Sequence, residues 1–223
     1  MQPFVTLLDV DNTLLDNDRV VADLMRHMNR ELGHERQQDY WNIFEALRAE
    51  LGYADYLGAL QRYRAQHPRD THVLTVSQFL VNYPFANRLF PESLDVIDRA
   101  RAAGPAVIVS DGDVVFQPRK IERSGLFEAV DRNILIYVHK EQELEDVEQR
   151  YPSAHYVMVD DKLWLLHAIK AHWGGRVTTV WPRQGHYVSD ARVSSLPPPD
   201  VTLARIGELL AWTPERLQQA ARR

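Results

Sequence analysis

The sequence predicts an α/β fold: a doubly wound parallel sheet with an all-helical block inserted after the first strand. Three observations predict it. In the second half, short β-branched apolar runs alternate with stretches long enough for crossover helices, which is how strands buried on both faces of a parallel sheet read. Between about Asn17 and Tyr83 that alternation stops, and only helical periodicity remains. At the start, "TLLDVDNTLLD" (residues 6–16) ends an apolar run on Asp9 and Asp11. Two carboxylates one residue apart repel each other, and an apolar setting makes the repulsion worse, so something must compensate them.

"FVTLLDV" forms the initial strand. Val20, Leu24, Met28 and Leu32 then recur every fourth residue, and Tyr40, Ile43, Phe44, Leu47 and Leu51 follow a 3–4 spacing. So do Tyr56, Leu57, Leu60 and Tyr63, while Val76, Phe79, Leu80 and Tyr83 complete a fourth amphipathic helix. The insert is therefore placed at residues 17–85, and the α/β core at 1–16 and 86–223. "ESLDVIDRARAAGP" is a helix stopping at Gly104–Pro105. Strands follow at "AVIVS" (106–110), "ILIYVH" (134–139), "HYVMV" (155–159) and "RVTTVW" (176–181), separated by the helices "QPRKIERSG", "KEQELEDVEQRY" and "KLWLLHAIKAHWGG". The tail, "PPPDVTLARIGELLAW" and "TPERLQQAARR", reads as a proline-rich connector and two helices.

The 223 residues suffice for one core plus a small insert, and the 45% hydrophobic and 26% charged fractions are those of an ordinary globular protein. A net charge of −5 without a basic stripe argues against nucleic acid as a partner. The absence of cysteine excludes disulfides, thiol catalysis and cysteine metal sites. No stretch approaches transmembrane length, and Asp9 interrupts the only apolar run near the N-terminus, so the expectation is a cytoplasmic protein without a membrane partner, monomeric or homodimeric.

In open α/β sheets, ligands bind beyond the carboxyl ends of the strands where the strand order reverses. The first strand delivers Asp9 and Asp11 to that edge, the second Ser110, Asp111 and Asp113, the third His139 and Lys140, the fourth Asp160 and Asp161. A single Asp after a strand is ordinarily a cap or turn residue. Two acidic pairs, a hydroxyl and a lysine arriving from four strands are a site.

These residues carry a resemblance. "DVDNTLLD" is similar to the first motif of the haloacid dehalogenase-like (HAD) superfamily, an Asp-x-Asp-x-Thr-Leu signature after a strand. Ser110 resembles its second motif, Lys140 its third and "VMVDD" its acidic fourth, and a helical cap after motif one also matches. Two positions depart from the usual pattern: Asp111 follows the motif-two hydroxyl, and Glu141 follows the motif-three lysine. The resemblance implies a HAD-like Rossmannoid core that transfers a phosphoryl group through an aspartyl-phosphate. Asp9 would be the nucleophile and Asp11 the general acid/base. Mg²⁺ would be held by Asp9, by the main-chain carbonyl of Asp11, by Asp160 and, through water, by Asp161, an all-oxygen set that suits magnesium better than zinc. Ser110 and Lys140 would bind the phosphate, with Asp111 grouped beside them. Of the four lysines, 120, 162 and 170 fall in predicted helices or at a helix start, which leaves Lys140 to offset the charge.

The fold hosts several chemistries, so activity is argued from the site. Asp11 opposes dehalogenation, since dehalogenases of this superfamily lack that carboxylate. Residues 17–90 contain no lysine, which opposes phosphonate hydrolysis through a cap Schiff base. Val10 stands where transport ATPases carry lysine. The expectation is a Mg²⁺-dependent phosphatase acting on a small phosphorylated metabolite, with a sugar phosphomutase or a catalytically inactive binding protein as alternatives. Trp181, His186 and Tyr187 are read as loop packing, Tyr40, Trp41 and Arg48 as core or surface, and His139 as a strand-end residue. Asp111 and Asp113 either tune the ion or shape the turn around Gly112.

Overall fold

The computed structural model describes residues 2–221. At its centre lie β1 (Gln2–Leu8), β2 (Ala106–Asp111), β3 (Ile134–Tyr137), β4 (Ser153–Val159), β5 (Val177–Pro182) and β6 (Val201–Leu203). They form one sheet in the order β3-β2-β1-β4-β5-β6, every neighbouring pair parallel. The chain starts in the middle and winds first to one side, then to the other, which opens a crevice at the carboxyl end of β1. Leu8 is in register with Val159. Asp9 and Asp160, the next residues of each strand, therefore leave the sheet at one level.

Each central strand buries both faces, which is why the sequence shows continuous apolar runs rather than alternation. Leu8, Ile108, Val157 and Val159 join one apolar cluster; Val5, Leu7, Val107, Val109 and Met158 join the other. Covering helices are α5 (Ser93–Arg101), α6 (Phe116–Ser124), the short α7 (Leu126–Ala129), α8 (Leu144–Arg150), α9 (Leu163–Trp173) and α10 (Pro214–Ala220). α9 stops at Gly174, whose φ of 56° lies in the left-handed region. The tail differs from expectation. Residues 201–203 are a sixth strand rather than part of a connector, and 206–211 form a 3₁₀ segment rather than a full helix. Three residues are too few to show a period in the sequence; tertiary contacts decide instead. Val201 and Leu203 are buried, and Asp200 accepts hydrogen bonds from the Thr179 N–H and hydroxyl on β5 at 2.8 and 2.9 Å.

The inserted helices are α1 (Asn17–Leu32), α2 (His34–Leu51), α3 (Tyr56–Gln66) and α4 (Val73–Asn82). Asp16 caps α1 by accepting from the Arg19 N–H at 2.9 Å, and Asp55 caps α3 by accepting from Gly58 at 2.7 Å. Val20, Leu24 and Met28, Tyr40, Phe44 and Leu47, Tyr56, Leu60 and Tyr63, and Val76 and Leu80 are the buried stripes. Entry and exit of the insert run side by side: Leu15 bridges Leu89 antiparallel, and Phe90 donates to the Leu14 carbonyl at 2.9 Å. Phe44 stacks on Tyr56, which packs on Phe116 of α6, so aromatic rings join the insert to the sheet domain's helices. Among the described residues no helix is long and apolar enough to cross a membrane.

Candidate active site

Asp9, Lys140, Asp160 and Asp161 meet in the crevice beyond β1 and β4, all of them buried. Lys140 opens the 3₁₀ turn that follows β3. Its ammonium lies 2.5 Å from Asp9 Oδ1 and 2.6 Å from Asp160 Oδ2, and donates to the Val109 carbonyl at 3.3 Å. Asp111 accepts from the Lys140 backbone N–H at 2.8 Å and so fixes the turn that aims the lysine. Behind the acidic pair, Trp181 donates its indole N–H to the Asp161 carbonyl at 2.9 Å, and the Asp161 N–H donates to the Thr13 hydroxyl at 3.0 Å.

The carboxylates of Asp9, Asp160 and Asp161 place one oxygen each within 4.8 Å of one another. Asp9 Oδ2 and both oxygens of Asp161 have no hydrogen-bond partner among the described residues. Burial, with Asp9 adding to it, pushes Asp160 up to about 6 against the pull of Lys140. Burial and then the neighbouring Asp160 and Asp9 also push Asp161 well above the ordinary carboxylate range. Burial would lower Lys140, but Asp160, Asp9 and Asp111 override it and raise it. Three crowded carboxylates with orphaned oxygens are relieved either by a proton or by a cation. Across the site five carboxylates (Asp9, Asp11, Asp111, Asp160, Asp161) face three ammonium groups (Lys120, Lys140, Lys162), a deficit that one divalent ion cancels. The donor set is all oxygen and fits Mg²⁺.

Asp11 points elsewhere. The turn after β1 is closed by Thr13, Leu14 and Leu15 N–H groups on the Val10 carbonyl, with Asn12 left-handed at φ 58°. It swings the Asp11 carboxylate toward α6, where Lys120 Nζ lies 2.6 and 2.8 Å from its two oxygens. Gln117, one turn earlier, donates to the Ser110 hydroxyl at 2.8 Å and reaches Asp11 at 3.4 Å. Above stand groups from the insert and the loop after β5. Tyr56 is buried, which raises its phenol, and it feels both Asp11 and Arg48. Arg48 donates to the Tyr187 hydroxyl, and Lys162 lies over the Tyr187 ring, 5.7 Å from its centroid.

The family model of haloacid dehalogenase-like hydrolases matches residues 5–172. The chain belongs to the haloacid dehalogenase-like hydrolases. The solved structure of a haloacid dehalogenase-like hydrolase from Burkholderia xenovorans LB400 is 58% identical and covers 96% of this chain and 100% of its own, with a TM-score of 0.92. Two others share the fold at low identity. The HAD-hydrolase YfnB from Bacillus subtilis, described as bound to magnesium, is 17% identical over 95% of this chain and 98% of its own, with a TM-score of 0.61. The L-2-haloacid dehalogenase PA0810 is 13% identical over 94% and 97%, with a TM-score of 0.63. No curated protein gives a significant match.

In this HAD-like hydrolase the sequence-derived residues separate into two groups. Asp9, Lys140, Asp160 and Asp161 converge, whereas the Asp11 carboxylate stands outside the acidic trio, leaving its main-chain carbonyl as the group the resemblance assigns to the ion. The Asp111 carboxylate is taken up by the Lys140 N–H, which makes it a group that positions the lysine. Asp113 shapes the turn, accepting from the Val115 and Phe116 N–H groups at 2.9 and 2.7 Å. Tyr40 and Trp41 are packing residues: Tyr40 donates to the Tyr56 carbonyl, and Trp41 stacks on Phe44. His186 pairs with Asp18 at 2.5 Å, tying the loop after β5 to the insert. Sequence reasoning missed Lys120, Gln117 and Lys162. One signal was available for the burial of Lys120, though not for its partner: it falls on the buried stripe Phe116, Gln117, Ile121 and Ser124 of an otherwise amphipathic helix.

Proposed function

We propose that this HAD-like hydrolase is a Mg²⁺-dependent phosphomonoesterase working through an aspartyl-phosphate on Asp9. The observation that carries the reading is the buried Asp9–Asp160–Asp161 trio with orphaned oxygens, bridged by Lys140, beside a separate carboxylate at Asp11. Asp9, Asp160, Asp161 and the Asp11 carbonyl would hold the ion, which supplies charge neutralisation at the phosphoryl oxygens. Lys140 and the Ser110 hydroxyl bind those oxygens, and Lys140 also orients Asp9. In the first step an Asp9 oxygen bonds to phosphorus, the ester P–O bond breaks, and Asp11 gives its proton to the leaving oxygen. In the second, Asp11 takes a proton from water as the water oxygen bonds to phosphorus, releasing inorganic phosphate and restoring Asp9. YfnB's magnesium is consistent with the ion, and Asp11 is the residue that separates this chain's chemistry from dehalogenation.

Residues 17–85 act as the cap, docked over the site by Arg48, Tyr56 and the Asp18–His186 pair. The test is a panel of metabolite phosphomonoesters and 2-haloacids, assayed with and without Mg²⁺. Mg²⁺-dependent phosphate release supports the reading; halide release, or no phosphate release from any ester, overturns it.

A further inference from the structure

Lys120 is the unabsorbed group of this site. Its side chain is only 1% exposed, yet it ends in a charge, and a buried lysine persists only where its donors are met. Two donors meet the two oxygens of Asp11, and the third meets Asn17 Oδ1 at 3.1 Å. Asn17 is the first residue of α1. Lys120 thus fastens Asp11 to α6 on one side and to the start of the insert on the other.

Asp11 needs such a fastening. It sits in a turn, its side chain is 31% exposed, and a divalent ion in the neighbouring trio attracts any free carboxylate. A carboxylate drawn onto the ion is not free to move protons. We infer that Lys120 is a positioning residue: it holds the Asp11 carboxylate off the cation and aimed at the leaving-group side, with Asn17 fixing the lysine in turn. This rests on the phosphomonoesterase reading and adds to it a residue that touches neither substrate nor ion.

The experiment uses the full chain, with Lys120→Met (similar length, no charge) and Lys120→Gln (one donor kept near Asp11). Ethyl phosphate needs a proton donor for its leaving group, whereas p-nitrophenyl phosphate scarcely does. Lys120→Met should lower kcat for ethyl phosphate by about 10²-fold, the scale of a misplaced catalytic group, and for p-nitrophenyl phosphate by less than about threefold if the first step limits. Lys120→Gln should fall between, and keeps the test alive if the methionine variant is unfolded by circular dichroism. Mg²⁺ affinity, read by calorimetry without substrate, should be unchanged or tighter. In an Asp11→Asn background, Lys120→Met should cost nothing more, because both changes remove one function. Equal losses on the two esters, multiplicative losses in the double variant, or weakened Mg²⁺ binding would each overturn the role of Lys120. A wild-type protein inactive on both esters instead defeats the phosphomonoesterase reading, and the role of Lys120 with it.

Discussion

Asp9 and Asp11 are tolerated two positions apart because each has its own lysine. Lys140 neutralises Asp9 from the turn after β3, and Lys120 neutralises Asp11 from α6. Asp9→Asn keeps the shape but cannot form an acyl phosphate, so turnover should fall by at least about 10³-fold, roughly 4 kcal/mol of barrier, while calorimetry still detects Mg²⁺ on the remaining ligands. Activity within tenfold of wild type would remove Asp9 as nucleophile. Asp160, lifted to about 6 by burial, gives a pH test. Its folded value lies above its unfolded one, so the metal-free fold holds an extra proton between the two. That contribution to stability is complete below the unfolded value and is lost as pH rises through about 6. Mg²⁺ binding displaces this proton, so the rise in Tm on adding Mg²⁺ should be larger at neutral pH than at about pH 5. An equal rise at both would show that the acidic trio is not where the ion binds. Lys140 was legible in the sequence because it follows a strand at the expected edge. The Lys120 partnership was not, because a pair 109 residues apart is made by tertiary packing, and a lysine within a helix ordinarily points to water.

At the scale of elements, what the sequence made legible is what local physics dictates. The central strands show their double burial as apolar runs, and the four inserted helices show their stripes. β6 is three residues long and owes its place to Asp200 and Thr179, so no period announces it. The loop after β5 reads as bland packing, yet Gln184 donates to the Asn12 and Thr13 carbonyls at 3.2 and 2.8 Å and clamps the turn that carries Asp11. Gly52, which ends α2, has φ 81°, and a Cβ there would lie 2.6 Å from Cε1 of His139, the neighbour of Lys140. Gly52→Ala therefore meets both a left-handed backbone and a ring at the edge of the site. It should cost about 1 kcal/mol or more in urea unfolding and raise KM more than it lowers kcat, since His139 yields by shifting rather than by moving Lys140. Unchanged stability and KM would mean that the α2 terminus does not hold this edge of the site.

The whole molecule is a sheet that collects charge at one edge and an insert that covers it. The two connections of the insert lie against each other at Leu14–Asp16 and Arg88–Phe90, directly after the Asp9–Asp11 turn, where a hinge would swing the insert relative to the site. Aromatic packing of Tyr56 on Phe116, and Arg119 and Arg123 on the α4 carbonyls, hold the insert at its base, while the contacts at the rim of the site are polar: Arg48 on Tyr187 and Asp18 on His186. Contacts of that kind suit a lid that opens for substrate and closes to exclude water. Arg48→Ala should loosen the lid without touching Asp9, Asp160 or Asp161, giving a higher KM, faster proteolysis within residues 17–85 and unchanged Mg²⁺ affinity. Replacing the whole insert by a short linker is the stronger test. It exposes Phe116, now covered by Tyr56 and Phe85 of the insert, so folding must first be verified by circular dichroism. A folded truncation should still bind Mg²⁺, retain weak activity on small phosphate esters, and lose its ranking among larger ones, because the trio and Lys140 belong to the sheet whereas Arg48 and Tyr56 leave with the insert. If relative kcat/KM across the panel is unchanged, substrate choice is made by the loops of the sheet edge, and the insert serves only as cover.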